Sequence, residues 1–165
     1  MILIGLGANL PSRFGPPPAT LEAAIAALAD YGLTVTAKSR IWLTAPVPIS
    51  NQPWYHNAVI AIETSLPPLE LLKTLQTIEN EFGRVRLVRN EPRVIDLDLL
   101  AYNDVILNDP TLTIPHPRMH QRNFVLLPIK DIAPDWTHPV LKTSLNDMIA
   151  ELPKDQDAKP YEDAA

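Results

Sequence analysis

Eighteen prolines in 165 residues set the punctuation of this chain. Each proline removes a backbone donor and fixes φ, so it is expelled from helix interiors and from central strands. Pro16, Pro17 and Pro18 predict a rigid loop behind the first apolar segment. Pro46, Pro48 and Pro53 mark a second loop, and Pro110, Pro115, Pro117, Pro128, Pro134 and Pro139 space out the last third. Apolar segments continue between them, so residues 1–152 read as one domain. The stretch from Pro153 onward (PKDQDAKPYEDAA, 153–165) predicts a disordered tail.

Between the prolines the periodicity alternates. Ile2, Ile4 and Leu6 predict a strand, and Thr20 to Ala29 a helix with Gly32 as its stop. Thr34 to Trp42 is β-branched and alternating. Tyr55 to Thr64 alternates again, with Ala58, Ile60 and Ile62 on one face. Pro68 suits a first helical turn, and Leu69, Leu72, Leu75, Ile78 and Phe82 follow at steps of three and four before Gly83. Val94 to Tyr102 predicts a further strand. A short helix is expected from Ser144, where Ser144-x-x-Asp147 forms a capping pattern. The order β-α-β-β-α-β predicts an α+β fold of ferredoxin-like type: an antiparallel sheet with helices on one face, and a proline-punctuated C-terminal extension.

Composition removes whole classes of chemistry. With no cysteine there is no disulfide framework, thiolate metal site or thiol nucleophile. A formal charge of −5 argues against a general nucleic-acid or anionic-membrane binder. No run of about 18 apolar residues exists to span a bilayer. The first ten residues make a poor signal peptide, so the cytoplasm is the expected location.

The chemistry concentrates around Asp96 and Asp98. Two apart on a strand, they project from one face while Ile95, Leu97 and Leu99 enter the other. Like charges roughly 6–7 Å apart repel unless a cation sits beside them, and a small set of hard oxygens suits magnesium. Taken alone, D-x-D also describes a solvated strand face. Six of the eight arginines, however, lie between positions 84 and 122: Arg84, Arg86, Arg89, Arg93, Arg118 and Arg122. Their planar forks suit phosphate oxygens, and cations with paired carboxylates are what a magnesium–polyphosphate site requires; the same arginines also describe a solvated basic loop balancing Asp and Glu on nearby faces. Gln76 and Glu79 share a helix face, either supporting that site or forming the polar side of an amphipathic helix. Thr44 to Asn57 (TAPVPISNQPWYHN) either offers aromatic faces and an amide for a flat heterocycle or places Tyr55 as a cap on the core with Trp54 on the surface. His116, Arg118, His120 and Arg122 could bind phosphate, and Phe124 could supply a second ring face. A zinc pair of His116 and His120 lacks a third ligand.

These residues carry a resemblance. The segment 89–100 (RNEPRVIDLDLL) resembles the signature of the 6-hydroxymethyl-7,8-dihydropterin pyrophosphokinase family. The likeness runs in order through GLGANL (5–10), QPWYHN (52–57), GRVR (83–86), PHPRM (115–119) and Phe124, about residues 1–135. It implies the ferredoxin-like fold and transfer of the diphosphate of ATP to the pterin's hydroxymethyl group, releasing AMP, in folate biosynthesis. By the same resemblance Asp96 and Asp98 would hold two Mg2+ ions with ATP, and Arg84 and Arg93 would act on the phosphates. Gln76, Glu79, Arg86, Thr113, His116 and Arg122 would contact or order the ATP. Thr44, Tyr55, Asn57 and Phe124 would form the pterin pocket, and a monomer is expected. Two rivals are an ordinary kinase or nucleotidyltransferase with another acceptor, and a non-catalytic ferredoxin-like ligand- or RNA-binding module. The acidic charge and the absence of an aromatic RNA-binding strand motif weigh against RNA.

Overall fold

A computed structural model describes residues 1–46, 51–83 and 94–161. Strand β1 (Ile2–Ala8) leads into helix α1 (Pro17–Ala27), a 3-10 turn and strand β2 (Thr34–Lys38). Strands β3 (Trp42–Thr44) and β4 (Tyr55–Glu63), helix α2 (Pro68–Phe82) and strand β5 (Asp96–Tyr102) come next. A hairpin of β6 (Leu107–Asp109) and β7 (Leu112–Ile114), helices α3 (Asn123–Ile132) and α4 (Leu145–Ala150), and strand β8 (Ala158–Pro160) complete the order.

The main sheet is antiparallel, in the order β5-β1-β4-β3-β8, with β2 also on β4. β2 and β3 are one long strand interrupted at residues 39–41, pairing with opposite ends of β4. Ser39 stitches the break, its N–H donating to Val59 O and its Oγ accepting from Val59 N–H, each at 2.9 Å. Arg40 turns outward there, bonded to Asp131 of α3.

Local chemistry explains the ends. Pro17 and Pro18 lie in the first turn of α1 rather than in the expected loop, where a missing N–H costs nothing. Gly32 takes φ 77°, the left-handed cap that ends the turn after α1. Ser144 Oγ accepts from Asp147 N–H at 3.2 Å, the capping bond the sequence predicts for α4.

Two apolar layers sit on the sheet. On one side Ile4, Leu6, Ile60, Ile62, Leu97 and Leu99 pack against Leu21, Ala24, Leu28, Leu71, Leu75 and Ile78 of α1, its following turn and α2. On the other, Leu3, Val59, Ala61, Leu100 and Ala101 pack against Val125, Leu126, Ile129, Leu145 and Met148 of α3 and α4. Helices therefore cover both faces, correcting the one-faced expectation: β1 and β4 are buried on both sides. In α2 the inward stripe runs through Leu71, Leu75, Ile78, Glu79 and Phe82, while Leu69 of the expected stripe is 39% exposed. The tail expected to be disordered from Pro153 instead adds β8 to the edge of β3, as far as Tyr161. Among the described residues no helix is long and apolar enough to cross a membrane.

Candidate active site

The α3/α4 layer covers only part of its face. Beyond it lies a cleft lined by Gly5, Gly7, Thr44, Tyr55, Asn57, Asp96, Asp98, Arg122 and Phe124, among others. Sheet register builds the floor. Gly7 is paired with Asn57 on one side and Asp96 on the other, and Gly5 with Val59 and Asp98. Directly paired residues share a face, so a side-chain-free strip runs between the acidic pair and the amide. The strip has to be bare: a Cβ on Gly7 would stand 2.8 Å from Asn57 Nδ2.

Asn57 is held rather than merely present. It is buried, and Thr44 Oγ1, itself 1% exposed, donates to its Oδ1 at 2.6 Å. That bond orients the amide and leaves Nδ2 over Gly7. Tyr55 is the register partner of Thr44. Burial raises the pKa of its phenol, and the nearby charge of Asp96 adds to this, so Tyr55 is neutral through the physiological range.

The facing wall comes from the start of α3. Arg122 lies over the Phe124 ring at 5.3 Å from its centroid. Burial lowers the pKa of Arg122, the charge of Asp98 opposes that, and Arg118 adds to the lowering. The cation and an acid of the strand thus face each other across the cleft. His116 is depressed by burial first, then by Arg122 and Arg118, and its Nδ1 accepts from Arg118 N–H at 3.2 Å. It stands as a neutral imidazole in a cationic neighbourhood.

Glu79 occupies a place the helix-face argument does not foresee. It is 6% exposed, and its Oε2 accepts from Leu97 N–H at 2.8 Å. Leu97 lies between the two aspartates, so this carboxylate fixes the backbone from which both project. Gln76, expected on the same face, is exposed. Thr113 sits on β7, outside the main sheet, and does not line the cleft. Arg84, Arg86 and Arg93 lie outside the described residues. Asp96 and Asp98, Thr44 with Tyr55 and Asn57, and Arg122 with Phe124 are brought together as three walls of one cleft. Gly5 and Gly7 form the floor. Their signal is present in the sequence: alternate glycines in an otherwise apolar strand, in a chain with only five glycines.

Among the described residues no group of three or more His, Asp or Glu side chains could enclose a metal. What the cleft offers is two carboxylates on one strand face. That all-oxygen, incomplete set fits magnesium, which keeps waters and substrate phosphates as its other ligands.

Residues 3–134 match the family model described as 7,8-dihydro-6-hydroxymethylpterin-pyrophosphokinase (HPPK). A Synechocystis protein named 2-amino-4-hydroxy-6-hydroxymethyldihydropteridine pyrophosphokinase is 43% identical over 137 residues, 83% of this chain and 68% of that protein. A Haemophilus influenzae protein of the same name is 44% identical over 137 residues, 82% of this chain and 83% of that protein. The "Folic acid synthesis protein fol1" of Pneumocystis carinii is 39% identical over 159 residues; these span 96% of this chain but only 21% of that longer protein. Among solved structures, the Plasmodium falciparum HPPK-DHPS A437G chain superposes with a TM-score of 0.69 at 14% identity. It covers 91% of this chain and 45% of that one, a likeness of fold.

Proposed function

The chain belongs to the 7,8-dihydro-6-hydroxymethylpterin-pyrophosphokinase family, a family of folate synthesis, and on that premise we propose how its cleft moves the diphosphate of ATP onto a hydroxymethyldihydropterin. The pterin lies flat over the floor of Gly5 and Gly7 between Tyr55 and Phe124, and Asn57, oriented by Thr44, reads its edge. The observation that carries this reading is the Asn57 amide, locked by Thr44 over a bare glycine that is itself in register with Asp96. A flat heterocycle bound there presents its substituent toward the acidic pair.

The pterin's hydroxymethyl oxygen attacks the β-phosphorus of ATP, the bond from that phosphorus to the α,β-bridging oxygen breaks, and AMP leaves. The hydroxyl proton passes to solvent. Asp96 and Asp98 would hold two magnesium ions, which when bound neutralise and align the phosphate oxygens. Arg122 adds a fixed positive charge beside Asp98, and Glu79 keeps the backbone between the aspartates from shifting. Such a reaction needs positioning and charge neutralisation more than a nucleophilic side chain, so a chain without cysteine is at no disadvantage. Arg84, Arg86 and Arg93, in the segment leading to β5, are proposed as phosphate partners, His116 as a neutral donor to the same group, and Gln76 and Thr113 as nucleotide contacts. The order β5-β1-β4 followed by β2 and β3, with α1 and α2 as crossovers, supports reading the sheet as ferredoxin-like, extended by α3, α4 and β8.

The test is incubation with ATP, magnesium and 6-hydroxymethyl-7,8-dihydropterin, followed by nucleotide analysis. AMP and a pterin diphosphate are expected in equal amounts. ADP would show an ordinary kinase, and tight pterin binding without turnover would show a binding module.

A further inference from the structure

The family match ends at residue 134, yet the polypeptide returns to the cleft about twenty residues later. Gln156 makes the contact. Its Oε1 accepts from Asn123 N–H at 2.9 Å, its Nε2 donates to Gln121 O at 3.0 Å, and its backbone O accepts from Asn123 Nδ2 at 3.1 Å. Asn123 is the first residue of α3, and Arg122 before it makes no capping bond with its own side chain. The opening N–H groups of a helix have no partner within it, and here a side chain 33 residues away takes one of them. The next residues bind the other side of the cleft. Asp157 O accepts from Ala45 N–H at 3.0 Å, and Ala158 pairs with Thr44. Positions 156–158 therefore tie the Thr44 wall to the turn that carries Arg122 and Phe124, two walls with no sequence connection nearby.

We propose that Gln156 is a positioning residue for the pterin pocket: it caps α3 from the C-terminal strand and so sets the gap between Phe124 and the wall of Thr44 and Asn57. This rests on the pterin reading above. Gln156→Met keeps the side-chain volume and removes the two side-chain hydrogen bonds. Gln156→Glu keeps the acceptor for Asn123 N–H and places negative charge at a helix N-terminus, but loses the donor to Gln121. With magnesium and ATP saturating, Gln156→Met is expected to raise the KM for the pterin by roughly five- to tenfold, the scale of one or two lost hydrogen bonds. Gln156→Glu should recover part of that. Hydrogen exchange should show the Asn123 amide losing protection in Gln156→Met while the amides of β1 and β4 keep theirs. Three results would overturn the proposal: an unchanged pterin KM with loss only in the amount of active protein, an unchanged Asn123 amide, or a glutamate variant no better than methionine. Absence of AMP from the unaltered protein would instead overturn the functional reading, so the two failures are separable.

Discussion

Among the described residues, the two faces of the sheet differ in how completely they are covered. Beneath α1 and α2 the layer is closed: Leu21, Leu28, Leu71, Leu75 and Ile78 are all fully buried, with Ile4 and Ile60 opposite them. Beneath α3 and α4 the cover stops short, and the strand residues past its edge change character. Where β1 shows Leu3 under the helices it shows Gly5 and Gly7 beyond them, and where β4 shows Ala61 and Val59 it shows Asn57 and Tyr55. The same strands thus run from stabilising core to chemical site along their length. Strand alternation sends consecutive residues to opposite faces, so a strand can be wholly apolar toward one face while its other face turns polar halfway along.

This division predicts which changes cost activity and which cost stability. The largest effect belongs to the aspartates. Asp96→Ala or Asp98→Ala should lower kcat on the order of a thousandfold or more, about 4 kcal/mol of transition-state stabilisation, with little change in denaturant midpoint. Near-normal turnover in either variant would remove the proposed metal role. On the closed face the expectation is reversed. Leu75→Ala leaves a cavity between α2 and the sheet and should cost roughly 2–5 kcal/mol of stability, while protein still folded at low temperature keeps its KM values. A pterin KM that moved with Leu75 would mean that the two faces are coupled more tightly than their packing suggests.

Gly7→Ala probes the boundary itself. Its Cβ would meet Asn57 Nδ2 at 2.8 Å, and Asn57 is pinned by Thr44, so the amide has to yield. We expect about 1–3 kcal/mol of lost pterin affinity, roughly five- to 150-fold, read by calorimetry. The loss in stability should be smaller, because one side of this residue faces the open cleft. An unaltered pterin affinity would show that the floor is wider than the glycine strip implies.

Legibility in the sequence follows the same boundary. The strands β1, β4 and β5 and the helices α1 and α2 are readable because their apolar periodicity serves the closed face, and the aspartate pair because D-x-D on a strand places both acids on one face. Helix α3 is not, since Pro128 lies inside it and removes its bond to the Phe124 carbonyl; tertiary packing of Val125, Leu126 and Ile129 overrides that loss. Glu79 reads equally well as a polar-face residue, because nothing local shows that a strand amide, 18 residues on, will need an acceptor. The C-terminal strand escapes for a similar reason: Gln156 and β8 are polar and proline-flanked, and are ordered by partners distant in sequence.

The smallest expected effect lies in the cover of the open face, at the loop between α3 and α4. His138 is 5% exposed, and its Nδ1 accepts from Val140 N–H at 3.2 Å and Leu141 N–H at 3.1 Å. Protonation would put a donor against two donors. The ring also faces His120, 6.0 Å away between centroids, and packs edge-on to Trp136. Burial, and then His120, hold the pKa of His138 below its usual 6.5. The unfolded chain therefore binds the proton more readily, and stability present above pH 6.5 is lost as pH falls through that unfolded value toward the lower folded one. His56 and His116, depressed by burial in the same direction, add to this slope. In His138→Asn the Oδ1 can stand where Nδ1 does and accept both amides without titrating. Thermal unfolding followed from about pH 7.5 to about pH 5 should then show a shallower loss for the variant than for the parent, but not a flat profile. Identical slopes would mean that the loop opens freely when His138 is charged, so that the cover of the open face is held by Leu145 and Met148 rather than by this turn.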